Sequence, residues 1–185
     1  QLCNQRGGIE ADLTVCRLAE NEFYIVTGTG SAARDFNWIE RNFPSDCDVQ
    51  LTDVSQEYAV LGLMGPLARE VLAQATDADL SNEAFPFATS REIQIAGETV
   101  RAMRVTFVGE LGWEIHCNAA DAPAVYRALH SAARGLRFPA AAGGAFTSIP
   151  WLPSPKASVV MIGSRKRPLV PPPTHRKPSP KGIMI

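Results

Sequence analysis

The distribution of charge along the chain is the feature that most constrains its fold. All 19 acidic residues lie at or before Asp121, with only 8 arginines among them, so residues 1–121 have a net charge of −11. Residues 122–185 contain 10 basic residues and no acidic one, and ten of the 14 prolines lie at or after Pro139. A single domain rarely changes composition so sharply. The sequence therefore predicts a folded part, residues 1–135, followed by a tail, residues 136–185.

The tail lacks the periodic apolar residues that a packed core needs. Residues 140–145 are small and glycine-rich, and residues 168–180 are dense in proline. The one apolar patch, residues 158–163, has no evident partner. Such a segment cannot offset its ordering entropy by burial, so the sequence predicts a disordered tail. Its basic PPPTHRKPSP stretch could bind an SH3-like groove or an acidic surface. The alternative is that this sequence has no selected function.

The folded part alternates short strands with amphipathic helices. The predicted strands are residues 11–18, 22–27, 49–54, 58–64, 93–95, 100–108 and 113–117. Helices are predicted at residues 31–42, after Gly65-Pro66 and after the capping residue Asp121, with a helical turn at residues 81–87. Hairpins interspersed with helices indicate an α+β fold, a mixed or antiparallel sheet with packed helices, and argue against a doubly wound parallel sheet.

Other classes of protein receive little support from the residues. No apolar run is long enough to span a membrane, and no targeting segment precedes the first strand. The four cysteines show neither a CxxC pair nor the spacing of a metal site, which favours reduced thiols in an intracellular protein.

A glycine-rich turn offers the first candidate for chemistry. Gly28-Thr-Gly-Ser-Ala-Ala33 has the form G-x-G-x-x-A of a dinucleotide-binding loop, with Asp46 and Asp48 at about the spacing of a ribose-binding acid. That fingerprint requires a parallel βαβ unit, whereas the preceding strand is predicted to belong to a hairpin. A plain turn with Ser31 capping the next helix is therefore favoured.

Two further stretches contain carboxylates in unusual settings. Gly7 and Gly8 would let a ligand approach the backbone closely, and Asp12 follows them in a predicted strand, where it either serves a ligand or bonds a turn amide. Glu114 lies in a hairpin with Phe107 and Trp113. A carboxylate beside aromatic rings can accept two N–H donors from a flat heterocycle, although a solvent-facing glutamate explains the same pattern.

Four separated blocks of this sequence resemble one known family. They are residues 4–15 (NQRGGIEADLTV), 64–66 (MGP), 77–87 (DADLSNEAFPF) and 101–116 (RAMRVTFVGELGWEIH). They resemble, in order, the folate-binding part of the sarcosine dehydrogenase and dimethylglycine dehydrogenase family, which is itself similar to the T-protein (aminomethyltransferase) of the glycine cleavage system. The resemblance covers residues 1 to about 135 and implies an incomplete T-protein-like folate-binding domain.

The resemblance also implies a reaction and the residues that serve it. It implies the folate-binding portion of a mitochondrial matrix flavoprotein that oxidises an N-methyl group, with tetrahydrofolate capturing the one-carbon unit. Asp12 matches the catalytic aspartate that orients the folate amine and handles its proton. Glu114 matches the glutamate that holds the pterin edge, and Phe107 stands where T-proteins have a tyrosine. Trp113 and Gly8 complete the expected folate site.

The sequence departs from the family pattern in two places. After Leu136 it lacks the arginine that the family uses for the carboxylate tail of folate, and the FAD-binding portion expected upstream is missing. A gene-model artefact or a truncated splice form would account for both. We therefore expect folate as partner, no FAD bound by this chain, no nucleic acid, and no activity without the missing FAD-binding portion. The alternatives are a non-catalytic folate-binding module and a non-functional truncated product.

Overall fold

The computed structural model describes residues 1–106, 109–136, 157–164 and 182–184, the last two segments as backbone only. Its strands in the described residues are β1 (Leu2–Cys3), β2 (Ile9–Ala11), β3 (Thr14–Ala19), β4 (Glu22–Gly28), β5 (Val49–Asp53), β6 (Tyr58–Met64), β7 (Thr89–Ile95), β8 (Glu98–Met103), β9 (Gly112–Asn118), β10 (Ala157–Ser164) and β11 (Gly182–Met184). The helices are α1 (Ala32–Arg41), α2 (Ala68–Ala73) and α3 (Ala122–Gly135).

Antiparallel hairpins form the framework, as the sequence predicts. β3 pairs with β4, β7 with β8, and β8 with β9, each in antiparallel register. The β7–β8 hairpin turns at Ala96 and Gly97, whose φ angles of 56° and 83° suit the tight turn that matches the twist of the strands. The α+β class with antiparallel sheets and few helices is confirmed.

The described residues form two compact units. Unit 1 contains residues 1–58 together with β10 and β11, and unit 2 contains residues 59–106 and 109–136. In unit 1 the strand order is β5-β10-β4-β3-β11, and in unit 2 it is β7-β8-β9-β6. The sequence predicts one folded part in this region, without this division.

The core of unit 2 lies between its sheet and the two helices α2 and α3. α3 presents Ala122, Val125 and Leu129 to this core, and α2 presents Ala68, Val71 and Leu72. The sheet contributes the residues that face the helices: Leu61, Leu63, Ile93, Ile95, Val100, Ala102, Trp113, Ile115 and Cys117. Along β7 and β8 the apolar residues of this core occupy alternate positions, which follows from the two-residue period of a strand.

One apolar cluster of unit 1 forms where α1 packs on β4. Ile39 of α1 and Ile25 of β4 are its buried residues, and Phe36 and Phe43 pack against them half-buried. This is the apolar stripe that the sequence predicts for the helix. Tyr24 is also buried, and its ring meets the ring of Tyr58 edge-on with 5.5 Å between centroids.

The tail is not wholly disordered, so that prediction is wrong for two of its segments. β10 pairs antiparallel with β4 on one side and with β5 on the other, and β11 pairs with β3. The sequence of β10, ASVVMIGS, is rich in residues that favour strands. Its main-chain hydrogen bonds to β4 and β5 compensate for the conformational entropy that the segment loses on ordering. The proline-dense stretches lie outside the described residues.

Several element boundaries differ from the sequence prediction. The predicted strand of residues 11–18 is interrupted, because Asp12 and Leu13 separate β2 from β3. α2 begins at Ala68, so Pro66 precedes the helix instead of occupying its first turn. β8 ends at Met103, so residues 104–106 of the predicted strand are not part of it, and residues 107 and 108 lie outside the described residues. The predicted turn at residues 81–87 is a single hydrogen-bonded turn, in which the Phe85 amide donates to the Ser81 carbonyl.

Both predicted helix caps lie at the expected position but bond differently. Ser31 precedes α1, yet its hydroxyl donates to the Gly28 carbonyl at 3.0 Å instead of accepting from the helix. Asp121 precedes α3, and its carboxylate accepts a hydrogen bond from the side-chain nitrogen Nδ2 of Asn118 at 2.9 Å. In each case the side chain stabilises the chain that enters the helix.

The cysteines are free thiols. Cys16 and Cys117 are buried, and Cys3 and Cys47 are exposed. Burial raises the pKa of the Cys117 thiol to about 12, and the nearby Asp121 charge adds to the effect. No helix in the described part of the chain has the length and apolar character needed to cross a membrane.

Candidate functional site

The sheet of unit 2 has a second face, turned away from its helices, that carries polar side chains. We call it the polar face and define it by Ser90, Glu92, Arg101, Glu114 and His116. Cross-strand register brings them together, since Arg101 lies opposite both Glu92 and His116. The same register sets Met103 opposite both Ser90 and Glu114. Residues on alternate positions of a strand share a face, so these side chains project to one side.

Glu114 is the partly exposed carboxylate of the polar face. Its side chain is 32% exposed, whereas the side chain of His116, two residues further along β9, is fully buried. His116 Nε2 donates to Glu114 Oε2 at 3.2 Å. Within the described residues, Glu114 Oε1 accepts no hydrogen bond. One oxygen is thus held in place and the other is open to an incoming donor.

The neighbouring charges on the polar face neutralise each other. Arg101 Nη2 donates to Glu92 Oε1 at 2.6 Å, and both side chains are mostly buried. Arg101 Nη1 also donates to the buried Ser90 hydroxyl at 3.4 Å. Because Arg101 is engaged by Glu92, it leaves the Glu114 carboxylate to bind other donors.

Trp113 lies on the opposite side of β9 from Glu114. Its side chain is completely buried in the core of unit 2, and its ring meets that of Phe85 edge-on at 6.1 Å between centroids. A ligand on the polar face would not reach the indole while this packing holds. The structure therefore gives Trp113 a place in the core, which differs from the ring-covering position expected from the sequence.

Phe107, the other expected ring, lies outside the described residues, as does Val108. The loop after it is described from Gly109, which has φ 93° and whose amide donates to the Thr106 hydroxyl at 3.2 Å. At the end of the loop, the Gly65 amide donates to the Leu111 carbonyl at 2.8 Å. These bonds fix the path of the chain into β9 and so the position of Glu114.

Gly7 and Gly8 form a tight loop in unit 1 that is closed by Asn4. Asn4 Oδ1 accepts from the amides of Arg6 and Gly8, each at 2.9 Å, and Asn4 Nδ2 donates to Glu10 at 2.7 Å. A Cβ at position 8 would lie 2.9 Å from Asn4 Nδ2. The approach that requires Gly8 is therefore that of the Asn4 side chain, and Gly7 supplies the φ angle of 79°.

Asp12 is exposed in the break between β2 and β3, between the buried Ala11 and the half-buried Leu13. Within the described residues its carboxylate has no hydrogen-bond or ion-pair partner. It is therefore neither buried among apolar residues nor bonded to a turn amide. Asp12 and Gly8 belong to unit 1, whereas Glu114 belongs to unit 2. The environment of each residue is therefore described within its own unit.

The G-x-G-x-x-A loop is a plain turn, as the sequence analysis favours. β4 enters it from an antiparallel hairpin with β3, so the parallel βαβ unit of a dinucleotide site is not formed. Sequence reasoning missed Asp35, which is buried on α1. Its Oδ2 accepts from the Thr27 hydroxyl at 2.5 Å, and its Oδ1 from Arg34 Nη2 at 2.9 Å. Its position on the buried side of the α1 stripe is the signal that could have found it.

Asp35 stays ionised despite its burial. Desolvation alone would raise its pKa, but the hydrogen bonds from Thr27, Arg34 and Ser31 outweigh burial and hold the pKa below its ordinary value. This carboxylate joins α1 to β4 within unit 1. In the part of the chain that the structure describes, no group of histidine, cysteine or acidic side chains could hold a metal ion.

Comparison with known proteins relates the chain to one family. Residues 1–149 match the model of the GCVT N-terminal domain. The chain is 42% identical over 146 residues to "Sarcosine dehydrogenase, mitochondrial" of Mus musculus, a match that covers 71% of this chain and 16% of that protein. It is 39% identical over 128 residues to "Dimethylglycine dehydrogenase, mitochondrial" of Mus musculus, covering 69% and 15% of the two chains.

A bacterial relative is named differently from the two dehydrogenases, and the match covers a larger share of its chain. The chain is 36% identical over 133 residues to "Aminomethyltransferase" of Clostridium botulinum (strain Loch Maree / Type A3), covering 72% of this chain and 35% of that protein. The chain thus spans well under half the length of each of these relatives. The resemblance seen in the four sequence blocks is confirmed. The chain belongs to the GCVT N-terminal domain family.

Proposed function

We propose that this chain is the folate-binding portion of an enzyme resembling sarcosine dehydrogenase, with a T-protein-like fold and with tetrahydrofolate held at Glu114. The observation that carries the proposal is the state of the Glu114 carboxylate on the polar face. His116 orients one oxygen at 3.2 Å, and the other is open within the described residues. A carboxylate held in this way suits the adjacent N–H donors of a pterin ring.

The surroundings of Glu114 favour a strong interaction with such a donor pair. Glu114 is two-thirds shielded from water, and the buried His116 and Met103 lie beside it. A charge-assisted hydrogen bond is stronger where water is excluded. The Arg101–Glu92 pair carries no net charge, so it neither competes strongly for Glu114 nor repels it.

Asp12 is the proposed catalytic group of unit 1. An exposed carboxylate without an internal partner can accept a proton from an amine or orient it. Tetrahydrofolate would supply the nucleophilic amine that accepts a one-carbon unit. Asp12 would act on the proton of such an amine.

The wider activity is proposed for the whole enzyme of which this chain is a portion. The two dehydrogenases are named as mitochondrial proteins, which supports a mitochondrial location for this one. We propose that oxidation of an N-methyl amine requires an FAD-binding portion and that this chain alone does not catalyse it. A non-catalytic folate-binding module is the second candidate.

Titration of the full chain with tetrahydrofolate tests the proposal. Glu114→Gln keeps the shape of the side chain and removes its charge. We therefore expect the dissociation constant for tetrahydrofolate to rise at least tenfold, which corresponds to a loss of about 1.4 kcal/mol of binding free energy. Isothermal titration calorimetry measures the constant directly. Asp12→Asn should change affinity less, because its proposed role concerns proton handling.

Glu83→Gln is the matched control, because Glu83 is an exposed residue of unit 2 in the turn before Phe85. The affinity of the Glu83→Gln variant for tetrahydrofolate should equal that of the unsubstituted chain. If the chain binds no tetrahydrofolate, the third possibility, a non-functional truncated product, replaces the proposal. Equal affinities of the Glu114→Gln and Glu83→Gln variants would place the ligand elsewhere.

A further inference from the structure

Two arginines of unit 2 meet without a carboxylate between them. Arg69 lies on α2, and Arg104 directly follows β8. Arg69 Nη2 and Arg104 Nη2 both donate to Asn82 Oδ1, at 2.7 Å and 2.8 Å. Because both groups bind the same oxygen atom, the two positive charges are close neighbours. We call Arg69 and Arg104 the arginine pair.

The arginine pair is held in place by the core beneath it. The guanidinium carbons of Arg69 and Arg104 lie 6.0 Å and 5.7 Å from the centroid of the Trp113 ring. Arg104 Nη1 also donates to the Phe85 carbonyl at 2.5 Å. Each guanidinium is therefore positioned by at least two contacts, which is the preorganisation that a binding site needs.

The charges of the pair are not balanced within the described residues. The ion pairs Arg34–Asp35, Arg101–Glu92 and His116–Glu114 include neither Arg69 nor Arg104, and within the described residues neither arginine has an acidic partner. Burial lowers the pKa of Arg104, and the positive charge of Arg69 lowers it further. Arginine side chains are cationic in proteins, so the two groups repel each other and the fold sustains that cost.

The hydrogen-bonding capacity of the pair also exceeds its acceptors. An amide oxygen has two lone pairs, and Asn82 Oδ1 uses both on the two arginines. Arg69 Nε is buried and, within the described part of the chain, finds no acceptor. A buried donor without an acceptor is unfavourable, and more so when the group is charged.

We propose that Arg69, Arg104 and Asn82 form a binding site for a compact oxyanion, a phosphate or a carboxylate. Such a group supplies the negative charge and the several acceptor oxygens that the pair lacks. Two guanidinium forks match the geometry of both anions. Attraction to the Trp113 ring accounts for the position of each guanidinium carbon near that ring, but it does not explain why two cations share one neutral acceptor.

This site is separate from the proposed folate site. The arginine pair lies over Trp113, whose side chain is on the opposite side of β9 from Glu114. The site does not depend on the polar face, so loss of folate binding would leave it intact. It adds a second ligand to unit 2.

Thermal unfolding of the full chain in inorganic phosphate, and separately in acetate, tests the proposal at constant ionic strength set with chloride. We expect one or both anions to raise the melting temperature in a saturable way. A response to phosphate alone assigns a phosphoryl group, and a response to acetate alone assigns a carboxylate. Arg69→Gln should weaken the apparent affinity at least tenfold, because it removes one of the two charges.

Asn82→Asp keeps the test decisive even if Arg69→Gln unfolds the chain. It places a carboxylate between the two guanidinium groups, so the melting temperature without anion should rise and the response to anions should disappear. Arg127→Gln, an exposed substitution on α3, is the control and should leave the response unchanged. The proposal is overturned if neither anion raises the melting temperature, or if the Asn82→Asp variant responds as strongly as the unsubstituted chain.

Discussion

Asp35 shows how a single buried charge is kept in unit 1. Its two oxygens accept from the Thr27 hydroxyl and from the Arg34 guanidinium, and its side chain is 2% exposed. The hydrogen bonds outweigh desolvation, so the folded pKa lies below the ordinary value of 3.8. A carboxylate with a depressed pKa stabilises the fold above its unfolded pKa and loses that contribution as the pH falls through the folded pKa.

Asp35→Asn should therefore destabilise the chain at neutral pH. Removal of the charged acceptor leaves the Thr27 and Arg34 donors poorly matched, which costs about 1–3 kcal/mol. The difference from the unsubstituted chain should shrink below the ordinary carboxyl pKa, at about pH 3. Urea unfolding at neutral pH and at about pH 3 measures this difference in the free energy of unfolding. Asp46→Asn, in an exposed loop, should show no difference at either pH, and a pH-independent loss for Asp35→Asn would contradict the account.

Some residue assignments were accessible from sequence, and others depended on packing. The buried positions Trp113, Ile115 and Cys117 follow from strand alternation. His116 shares the polar face with Glu114 as expected, yet it is buried. Its burial depends on what covers the strand, and a two-residue period carries no information about that. The arginine pair joins residues 35 positions apart in sequence and could not be found from spacing.

At the scale of elements, the close approach of β6 and β9 depends on Gly112. A Cβ at this position would lie against Met64 Sδ, 3.0 Å from the Leu63 carbonyl oxygen and 3.3 Å from Met64 Cα. The sulfur belongs to a flexible side chain and can move. The two backbone atoms of β6 cannot move without separating the strands.

Gly112→Ala should lower the stability of unit 2 by about 1–3 kcal/mol, the usual cost of forcing an extra group into a packed site. Thermal unfolding of the full chain measures the change. Gly135→Ala is the control, because a Cβ there meets nothing within 4 Å and alanine favours a helix. The control should be neutral or slightly stabilising. The same loss in both variants would show that the approach of β6 and β9 is not the cause.

β10 is an element that the sequence prediction did not include. It lies between β4 and β5, and Val160 is opposite both Ile25 and Asp53. Its pairing partners are more than 100 residues away in sequence, and local composition carries no signal of such a partner. By contrast, the β7–β8 hairpin is closed by its own turn at Gly97 and was predicted from local residues.

Val160→Pro tests this pairing in the full chain. Proline removes one main-chain donor and cannot be accommodated in a central strand. We expect faster amide hydrogen exchange in β4 and β5, measured by mass spectrometry on peptides covering residues 22–28 and 49–53. Leu169→Pro makes the same change in the proline-dense stretch and should leave both strands protected. Unchanged exchange in the Val160→Pro variant would contradict the pairing.

At the scale of the whole molecule, the charge break marks a change in composition that is not a boundary of structure. β10 and β11 lie in the basic region, yet they pair with strands of the acidic region. The family match likewise extends to residue 149, beyond the predicted boundary at residue 135. The α+β class and the family were predictable, because hairpin patterns and four sequence blocks are local. The division into two units was not, since it depends on which elements pack together.

The central claim is that tetrahydrofolate binds at Glu114 on the polar face of unit 2. Amide hydrogen exchange of the full chain, with and without saturating tetrahydrofolate, tests it most directly. The account predicts slower exchange in β8 and β9, residues 98–103 and 112–118, and no such change in the Glu114→Gln variant. Exchange in β8 and β9 that is unaffected by tetrahydrofolate, or protection that persists in the Glu114→Gln variant, would contradict it.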